Sequence, residues 1–164
     1  MLLPFAVAAC ASHASSGASM GASTAAPPSA ERDAVVAAAQ SLFDGMRTRD
    51  TARLRALVAP HVSFVATQID SAGRPHVSSQ RIGDFLVRVA AGGEELRERM
   101  WEPVVHIDGA IATLWAPYDF HMGARFSHCG HDAFHLARTE SGWIITAVAF
   151  TVQPKGCAPS PLGG

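Results

Sequence analysis

Two polar residues in an otherwise apolar stretch are the best candidates for acid–base chemistry. His128 and Asp132 lie in residues 126–136, where alternate positions are mostly apolar. In an extended strand both would share a face with Phe126 and Phe134, because alternate side chains point the same way. Burial in an apolar cleft shifts the pKa of each group toward its neutral form, which suits a general acid or base. His128 and Asp132 are therefore the predicted catalytic residues if the protein is an enzyme. The alternative is a polar pair that only satisfies itself within the core.

Aromatic side chains near this pair indicate a pocket for a small molecule. Trp101, Trp115 and Tyr118 have the flat rings that stack on a heterocycle. One apolar helix face meeting one sheet face would enclose the predicted ligand-binding residues, which are Phe43, Phe64, Trp115, Tyr118, His128, Asp132 and Phe134. The alternative is that the aromatic residues only fill the core.

The opposite face of the same segment carries Cys129, His131 and His135, which suggests a metal site. Residues two apart on a strand can reach one ion, but His135 would lie roughly 13 Å from His131 at the rise of a strand. Neither an HExxH nor a CxxC motif occurs in the sequence. We therefore predict neither a metal nor a cofactor.

Four consecutive strands must position these side chains. The turns Asp108-Gly109 and Met122-Gly123 and the segment Glu140-Ser141-Gly142 separate them. The predicted strands are residues 97–107, 110–121, 125–138 and 143–152.

The first half of the domain is mainly helical. Apolar residues at helical spacing predict a helix over residues 31–48, and Asp50 is placed to cap a second, short helix. Residues 61–67 alternate as in a strand, and residues 68–78 form a loop or short hairpin. Ser78 or Ser79 would cap a third helix that ends at Gly92. The predicted fold class is α+β, with the helices on one face of a curved antiparallel sheet.

The N-terminal region has the features of an export and anchoring segment. Residues 1–10 end in Val7-Ala8-Ala9-Cys10, which resembles a bacterial lipoprotein signal box, although no Lys or Arg precedes Cys10. Residues 11–30 are almost entirely small or polar, as in a flexible tether. The predicted organisation is a signal segment (1–10), a tether (11–30), one domain (31–153) and a C-terminal tail (154–164). Cys10 is the predicted lipidation site of an exported, periplasmic or envelope-attached protein.

Charge and composition exclude some partners. Lys and Arg number 13 against 14 Asp and Glu, and no basic stripe occurs, which argues against nucleic acid. No apolar run approaches the roughly 20 residues of a membrane helix. We expect a small-molecule ligand, with membrane contact only through the lipid on Cys10.

The order of elements resembles the nuclear transport factor 2-like superfamily, which includes ketosteroid isomerase and the SnoaL-like polyketide cyclases. The resemblance rests on the step from Asp50 to Val62 and on the closing residues Gly142-Trp143-Ile144-Ile145. Residues 115–120, 126–130 and 132–134 resemble a bacterial subgroup labelled lumazine-binding. The resemblance implies a cone whose open end holds a pocket, and a homodimer formed through the sheet.

Two classes of function follow from this resemblance and from the candidate site. The first, which we favour, is an exported domain that binds an apolar or aromatic molecule. The second is a cofactor-independent isomerase, cyclase or dehydratase that uses His128 and Asp132. The acid–base set of ketosteroid isomerase, an Asp base with a Tyr and a protonated Asp, does not map here, because Tyr118 and its neighbour Asp119 point to opposite faces.

A disulfide between Cys129 and Cys157 is predicted from the cysteine count and the strand register. If Cys10 carries a lipid, two cysteines remain in a domain exported to an oxidising compartment. The register places Cys129 opposite the end of the last strand near Val152. Pro154-Lys155-Gly156 can then turn Cys157 back over the sheet.

Overall fold

The computed structural model describes residues 29–163, which form three helices and seven strands. The helices are α1 (Ser29–Thr48), α2 (Thr51–Ala56) and α3 (Ile82–Ala90). The strands are β1 (Val58–Ile69), β2 (Pro75–Arg81), β3 (Leu96–Met100), β4 (Val104–Asp108), β5 (Ile111–Met122), β6 (Arg125–Thr139) and β7 (Gly142–Thr151). The predicted signal segment, most of the predicted tether and Cys10 lie outside the described residues.

All seven strands belong to one curved sheet that does not close into a barrel. The order is β2-β1-β7-β6-β5-β3, and β4 also pairs with β5 beyond the end of β3. Every pairing is antiparallel except that of β1 with β7, which is parallel. The predicted α+β fold class is confirmed. β1 lies beside β7, the last strand of the chain, so β2, α3 and β3 to β6 form the connection between this parallel pair.

The inner face of the sheet is covered by α1. Five apolar residues on one side of this helix are buried, and they recur at helical spacing: Val35, Ala39, Leu42, Phe43 and Met46. They pack into one core with inward side chains of the sheet. Asp50 caps α2 as predicted, since its carboxylate accepts a hydrogen bond from the Arg53 amide at 2.9 Å.

The first predicted strand of the series, residues 97–107, is interrupted. β3 ends at Met100 and β4 begins at Val104. Between them, Glu102 has a φ of 46° and Pro103 lacks an amide hydrogen. The positive φ of Glu102 and the missing amide hydrogen of Pro103 both interrupt the hydrogen-bond ladder, so the prediction of a single strand is wrong.

The third helix also begins later than predicted. Ser78 and Ser79, the predicted caps, belong to β2, where they pair with β1. The helix starts at Ile82, and its N-cap residue Arg81 makes no side-chain capping hydrogen bond. Pairing with β1 therefore overrides the capping preference of the two serines.

The C-terminal tail folds back over the outer face of the sheet. Cys129 and Cys157 form a disulfide with their Cα atoms 6.1 Å apart, and Cys129 also makes an isolated β-bridge with Gln153. This confirms the predicted pairing of the two cysteines. Further along the tail, the Gly163 carbonyl accepts a hydrogen bond from Arg99 of β3 at 2.8 Å. Within residues 29–163, none of the helices combines the length and apolar character needed to cross a membrane.

Candidate functional site

A cavity of about 600 Å³ lies between α1, α3 and the inner face of the sheet. Its wall is mostly apolar and aromatic, with contributions from Leu42, Phe43, Met46, Phe64, Phe85, Phe120, Phe134 and Val148. Four side chains with titratable groups from β3, β5 and β6 interrupt this wall, and they are Glu98, Tyr118, His128 and Asp132. A large apolar cavity with few convergent polar groups is the usual form of a small-molecule site.

The structure brings six of the seven predicted ligand-binding residues to this cavity. The six residues are Phe43, Phe64, Tyr118, His128, Asp132 and Phe134. Alternation along each strand explains the agreement, because buried positions of β5 and β6 recur every second residue. Their roles in binding or catalysis stay predictions.

Trp115 is the exception, and its placement in the pocket is wrong. The alternation that points Leu114, Ala116 and Tyr118 inward points Trp115 outward. Its side chain is 51% exposed and stacks on His131 of β6 with ring centroids 5.1 Å apart. Trp101 lies in the break between β3 and β4 and does not line the cavity either.

Phe126 also lies away from the cavity, contrary to the predicted face. A β-bulge between Phe120 and His121 shifts the register of β5 with β6, so that Phe126 pairs with His121 and His128 pairs with Phe120. The bulge adds one residue to β6 and reverses the alternation before it. Phe126 is 42% exposed and packs edge-on against the His121 ring.

The central polar feature of the cavity is a pair of carboxyl groups from Glu98 and Asp132. The two groups are within hydrogen-bonding reach of each other; Asp132 is buried, and Glu98 is half-buried at the cavity wall. Burial raises the pKa of Glu98 well above its usual range, and the nearby Asp132 raises it further. Burial also raises the pKa of Asp132 to about 7. The pair therefore retains a proton at neutral pH.

Glu98 was missed by the sequence argument, although a signal for it exists. Leu96, Glu98 and Met100 are alternate residues of β3, and Arg97 and Arg99 lie between them. A carboxylate between two apolar residues on the inner face of a strand is an exception to ordinary patterning. Its partner Asp132 is distant in sequence, so only the pairing of β3 with β5 and of β5 with β6 brings them together.

His128 and Asp132 share the cavity but do not form the predicted pair. No hydrogen bond or ion pair joins their side chains in the described part of the chain, since Asp132 faces Glu98 instead. The His128 Nδ1 lies 3.0 Å from the Ser127 hydroxyl, and its ring packs against Phe120 with centroids 5.0 Å apart. Burial lowers the pKa of His128, so the imidazole is neutral at neutral pH.

Tyr118 is fully buried beside the carboxyl pair, and its hydroxyl proton is used in a hydrogen bond within the protein. Its hydroxyl donates to the Thr151 carbonyl at 2.8 Å, across Gly130 of β6. A Cβ on Gly130 would lie 2.0 Å from that carbonyl oxygen, so only glycine allows β6 and β7 to approach this closely. Burial raises the pKa of Tyr118, and the carboxyl pair adds to the shift. Tyr118 thus positions the wall rather than offering a proton to a ligand.

The outer face of the same strands carries a different charged cluster. Arg99 makes a bidentate ion pair with Asp119, with distances of 2.8 Å from Nε and 2.6 Å from Nη2. His121 lies 3.5 Å from Asp119, and Ser160 of the tail also hydrogen-bonds to Asp119. Burial alone would raise the pKa of Asp119, but the hydrogen bonds from Arg99 and Ser160 outweigh it and lower the pKa.

Residues 29–163 contain no arrangement of side chains that could bind a metal ion. No group of three or more His, Cys, Asp or Glu side chains is placed to hold an ion there. Cys129 is bonded to Cys157, and His131 stacks on Trp115.

Comparison with known proteins identifies the fold. No protein-family model matches the sequence, and no curated protein is significantly similar to it. Among solved structures, an NTF2-like protein from Cytophaga hutchinsonii matches with a TM-score of 0.61 and 13% identity, over 74% of this chain and 97% of that one. A proposed dehydratase of the NTF2-like family from Streptomyces avermitilis has a TM-score of 0.56 and 16% identity, over 76% and 97%.

A third structure, a proposed aromatic ring hydroxylase from Novosphingobium aromaticivorans, has a TM-score of 0.58 and 19% identity, over 76% of this chain and 90% of that one. The lumazine-binding subgroup is not confirmed by these matches. The similarity covers nearly the whole length of these proteins. The chain therefore has the nuclear transport factor 2-like fold, an α+β cone whose curved sheet and long helix enclose the cavity.

Proposed function

We propose that this protein binds a small apolar or aromatic molecule inside the cone. The observation that carries the proposal is the cavity itself, whose volume of about 600 Å³ falls in the range of small-molecule sites. Aromatic rings from α1, α3 and the sheet contribute to its apolar wall, and Glu98, His128 and Asp132 supply polar contacts. Aromatic walls favour flat ligands, and the enclosed polar groups would fix their orientation.

Thermal unfolding against a panel of pterins, flavins, steroids and aromatic polyketides tests this proposal. A molecule that binds only the folded state raises Tm. At a ligand concentration one hundred times Kd, it adds about 2.7 kcal/mol to the free energy of unfolding. The control is Ala66→Trp, because Ala66 lines the cavity and a larger side chain would occupy it. A panel without any shift, or a shift of equal size in Ala66→Trp, would contradict binding in the cavity.

Acid–base catalysis is the second candidate, and the Glu98–Asp132 pair favours it. The pair holds a proton at neutral pH, so Glu98 can donate a proton to an oxygen while the Asp132 carboxylate accepts one from carbon. This is the chemistry of an isomerase, a cyclase or a dehydratase. The Streptomyces protein of the same fold, described as a proposed dehydratase, is consistent with that class. His128 would then contact the substrate as a neutral imidazole.

Deuterium exchange into enolisable cyclic ketones in heavy water tests catalysis without a known substrate. We expect exchange above the buffer rate, and a loss of about a hundredfold or more in Asp132→Asn, which removes the base. Asp84→Asn is the matched control, since Asp84 is exposed on α3 and does not line the cavity. If Asp132→Asn exchanges protons as fast as Asp84→Asn, the carboxyl pair is not catalytic.

Export and lipid anchoring through Cys10 complete the proposal. The Val7-Ala8-Ala9-Cys10 box supports it, and the disulfide between Cys129 and Cys157 is typical of oxidising compartments. Cells fed a clickable fatty acid should label the wild type and not Cys10→Ser. Equal labelling of both, or no labelling of either, would reject the anchor.

A further inference from the structure

The rim of the cavity carries two guanidinium groups from different elements. Arg49 follows α1 and Arg88 lies in the last turn of α3, and both line the cavity. Among the described residues that line it, Glu98 and Asp132 alone are acidic, and both belong to the inner carboxyl pair. Positive charge at the rim is thus separated from the acidic groups inside.

Arg49 is fixed in place, and neighbouring glutamates do not neutralise it. Its Nη1 and Nη2 donate to the carbonyls of Val89 and Glu94, each at 2.5 Å. The Glu94 carboxylate lies 3.7 Å from Arg125, while that of Glu95 lies 3.8 Å from Arg47. Because a guanidinium has five N–H donors, Arg49 retains donors for a ligand without losing its position.

Arg88 orients an amide at the same rim. It donates to Oε1 of Gln80 on β2, and the Gln80 Nε2 is buried without a hydrogen-bond partner in the described part of the chain. The contact with Arg88 fixes Oε1 as the acceptor, which leaves Nε2 as an unused donor. Ser78 and Ser79 line the cavity beside it. The rim is therefore rich in hydrogen-bond donors, as an anion site requires.

The chain limits the distance between this rim and the carboxyl pair. Arg49 donates to the Glu94 carbonyl, and Glu98 follows four residues later, so even a fully extended chain would separate them by no more than roughly 13 Å. Phe64, Phe120 and Phe134 are among the side chains that line the cavity. An apolar body of two or three rings would fit within that length.

We propose that the cavity selects an amphiphilic acid, with an apolar or aromatic body inside and a carboxylate, sulfonate or phosphate at the rim beside Arg49 and Arg88. The inference rests on the proposed small-molecule binding and adds the charge and orientation of the ligand. The anionic group stays at the donor-rich rim, and the uncharged end of the molecule meets the carboxyl pair. A ligand oriented in the opposite sense would place its anion against Glu98 and Asp132, where like charges repel.

Two fluorescent probes with the same rings test this inference. Anilinonaphthalene sulfonate carries an anion, and N-phenylnaphthylamine lacks it. We expect the wild type to bind the sulfonate probe about tenfold more tightly than the neutral one. Arg88→Gln should weaken the sulfonate probe about threefold to tenfold and change the neutral probe less than twofold, since exposed charged contacts are worth little more than this. The double variant with Arg49→Gln should lose more.

Arg55→Gln is the matched control, because Arg55 is exposed on α2 and lies outside the cavity wall. If Arg55→Gln and Arg88→Gln affect the sulfonate probe equally, or if both probes bind with equal affinity, the anionic rim site is rejected while cavity binding stands. If neither probe binds, or if both bind Ala66→Trp as well as the wild type, the proposed cavity binding itself fails. Arg88 is exposed, so Arg88→Gln keeps the fold even where Arg49→Gln does not.

Discussion

The two faces of the central strands bury carboxylates in opposite electrostatic settings. Asp132 on the inner face is 1% exposed, and Asp119 on the outer face is 4% exposed. Their pKa values nevertheless move in opposite directions, upward to about 7 for Asp132 and downward for Asp119. Asp119 receives two hydrogen bonds from Arg99, whereas Asp132 faces only another carboxyl group.

The comparison shows that the partner, rather than burial, decides the role of each group. Alternation along β3 sends Glu98 inward and Arg99 outward, so two consecutive residues supply the inner acid and the outer cation. The outer cluster is a closed ion-pair network covered by the tail. The inner pair is unbalanced and faces a cavity, as functional carboxyl groups commonly do.

The same substitution at the two aspartates should change stability in opposite directions. A raised pKa makes Asp132 stabilising below about pH 4, and that stability is lost as the pH rises through about 7. Asp132→Asn should therefore increase the free energy of unfolding at pH 8 by roughly 2–4 kcal/mol. A lowered pKa makes Asp119 stabilising above its ordinary pKa, and Asp119→Asn leaves Arg99 poorly paired and should cost about 3 kcal/mol.

Urea unfolding of the two variants at pH 8 and pH 4 measures both effects. The gain from Asp132→Asn should shrink to a few tenths of a kcal/mol at about pH 4, where the folded carboxyl is protonated and the unfolded one is about half protonated. Changes of the same sign at pH 8 would show that the two faces do not differ as described.

The disulfide holds the C-terminal tail over the outer face of the sheet, and its loss should have little effect on ligand binding at the inner face. Cys129→Ser with Cys157→Ser opens a link across 28 residues of sequence separation. We expect a loss of roughly 2–4 kcal/mol in unfolding free energy, because the unfolded chain gains freedom. Probe binding in the cavity should change less than twofold. A loss of binding comparable to that in Ala66→Trp would mean that the tail shapes the cavity.

The smallest effect is expected for the aromatic residue on the outer face. Trp115→Ala removes an exposed ring that stacks on His131, so stability should change by about 0.5 kcal/mol or less. Binding of the neutral probe should be unchanged, and a fall in its affinity would contradict the outward placement of Trp115.

The homodimer through the sheet stays a prediction. Sedimentation of Trp115→Ala beside the wild type would report whether this face pairs two copies.

Periodicity predicted most of the fold because it records which face of each element is buried. The long helix, the cap at Asp50 and three of the four consecutive strands are found near their predicted positions. The disulfide follows from strand register, as the bridge of Cys129 with Gln153 shows. The break at Glu102 and Pro103 depends on a local backbone conformation that apolar periodicity does not record.

The candidate site was predicted less completely, for two physical reasons. Trp115 was chosen by its chemistry although its parity opposes that of Tyr118, and parity is the stronger constraint. Glu98 lies on β3, far in sequence from Asp132, and only the assembled sheet shows that the two carboxyl groups meet. The bulge that turns Phe126 outward is likewise a property of pairing between strands.

The most direct test of the inner carboxyl pair is a titration of side-chain carboxyl carbons by NMR. With Asp132→Asn to assign the resonance, the account predicts that Asp132 titrates with a pKa of about 7 and that Glu98 titrates well above the usual range of a glutamate. Asp119 should titrate below the ordinary value of an aspartate. If Asp132 and Glu98 both titrate near the ordinary value of about 4, the pair holds no proton at neutral pH and the account is contradicted.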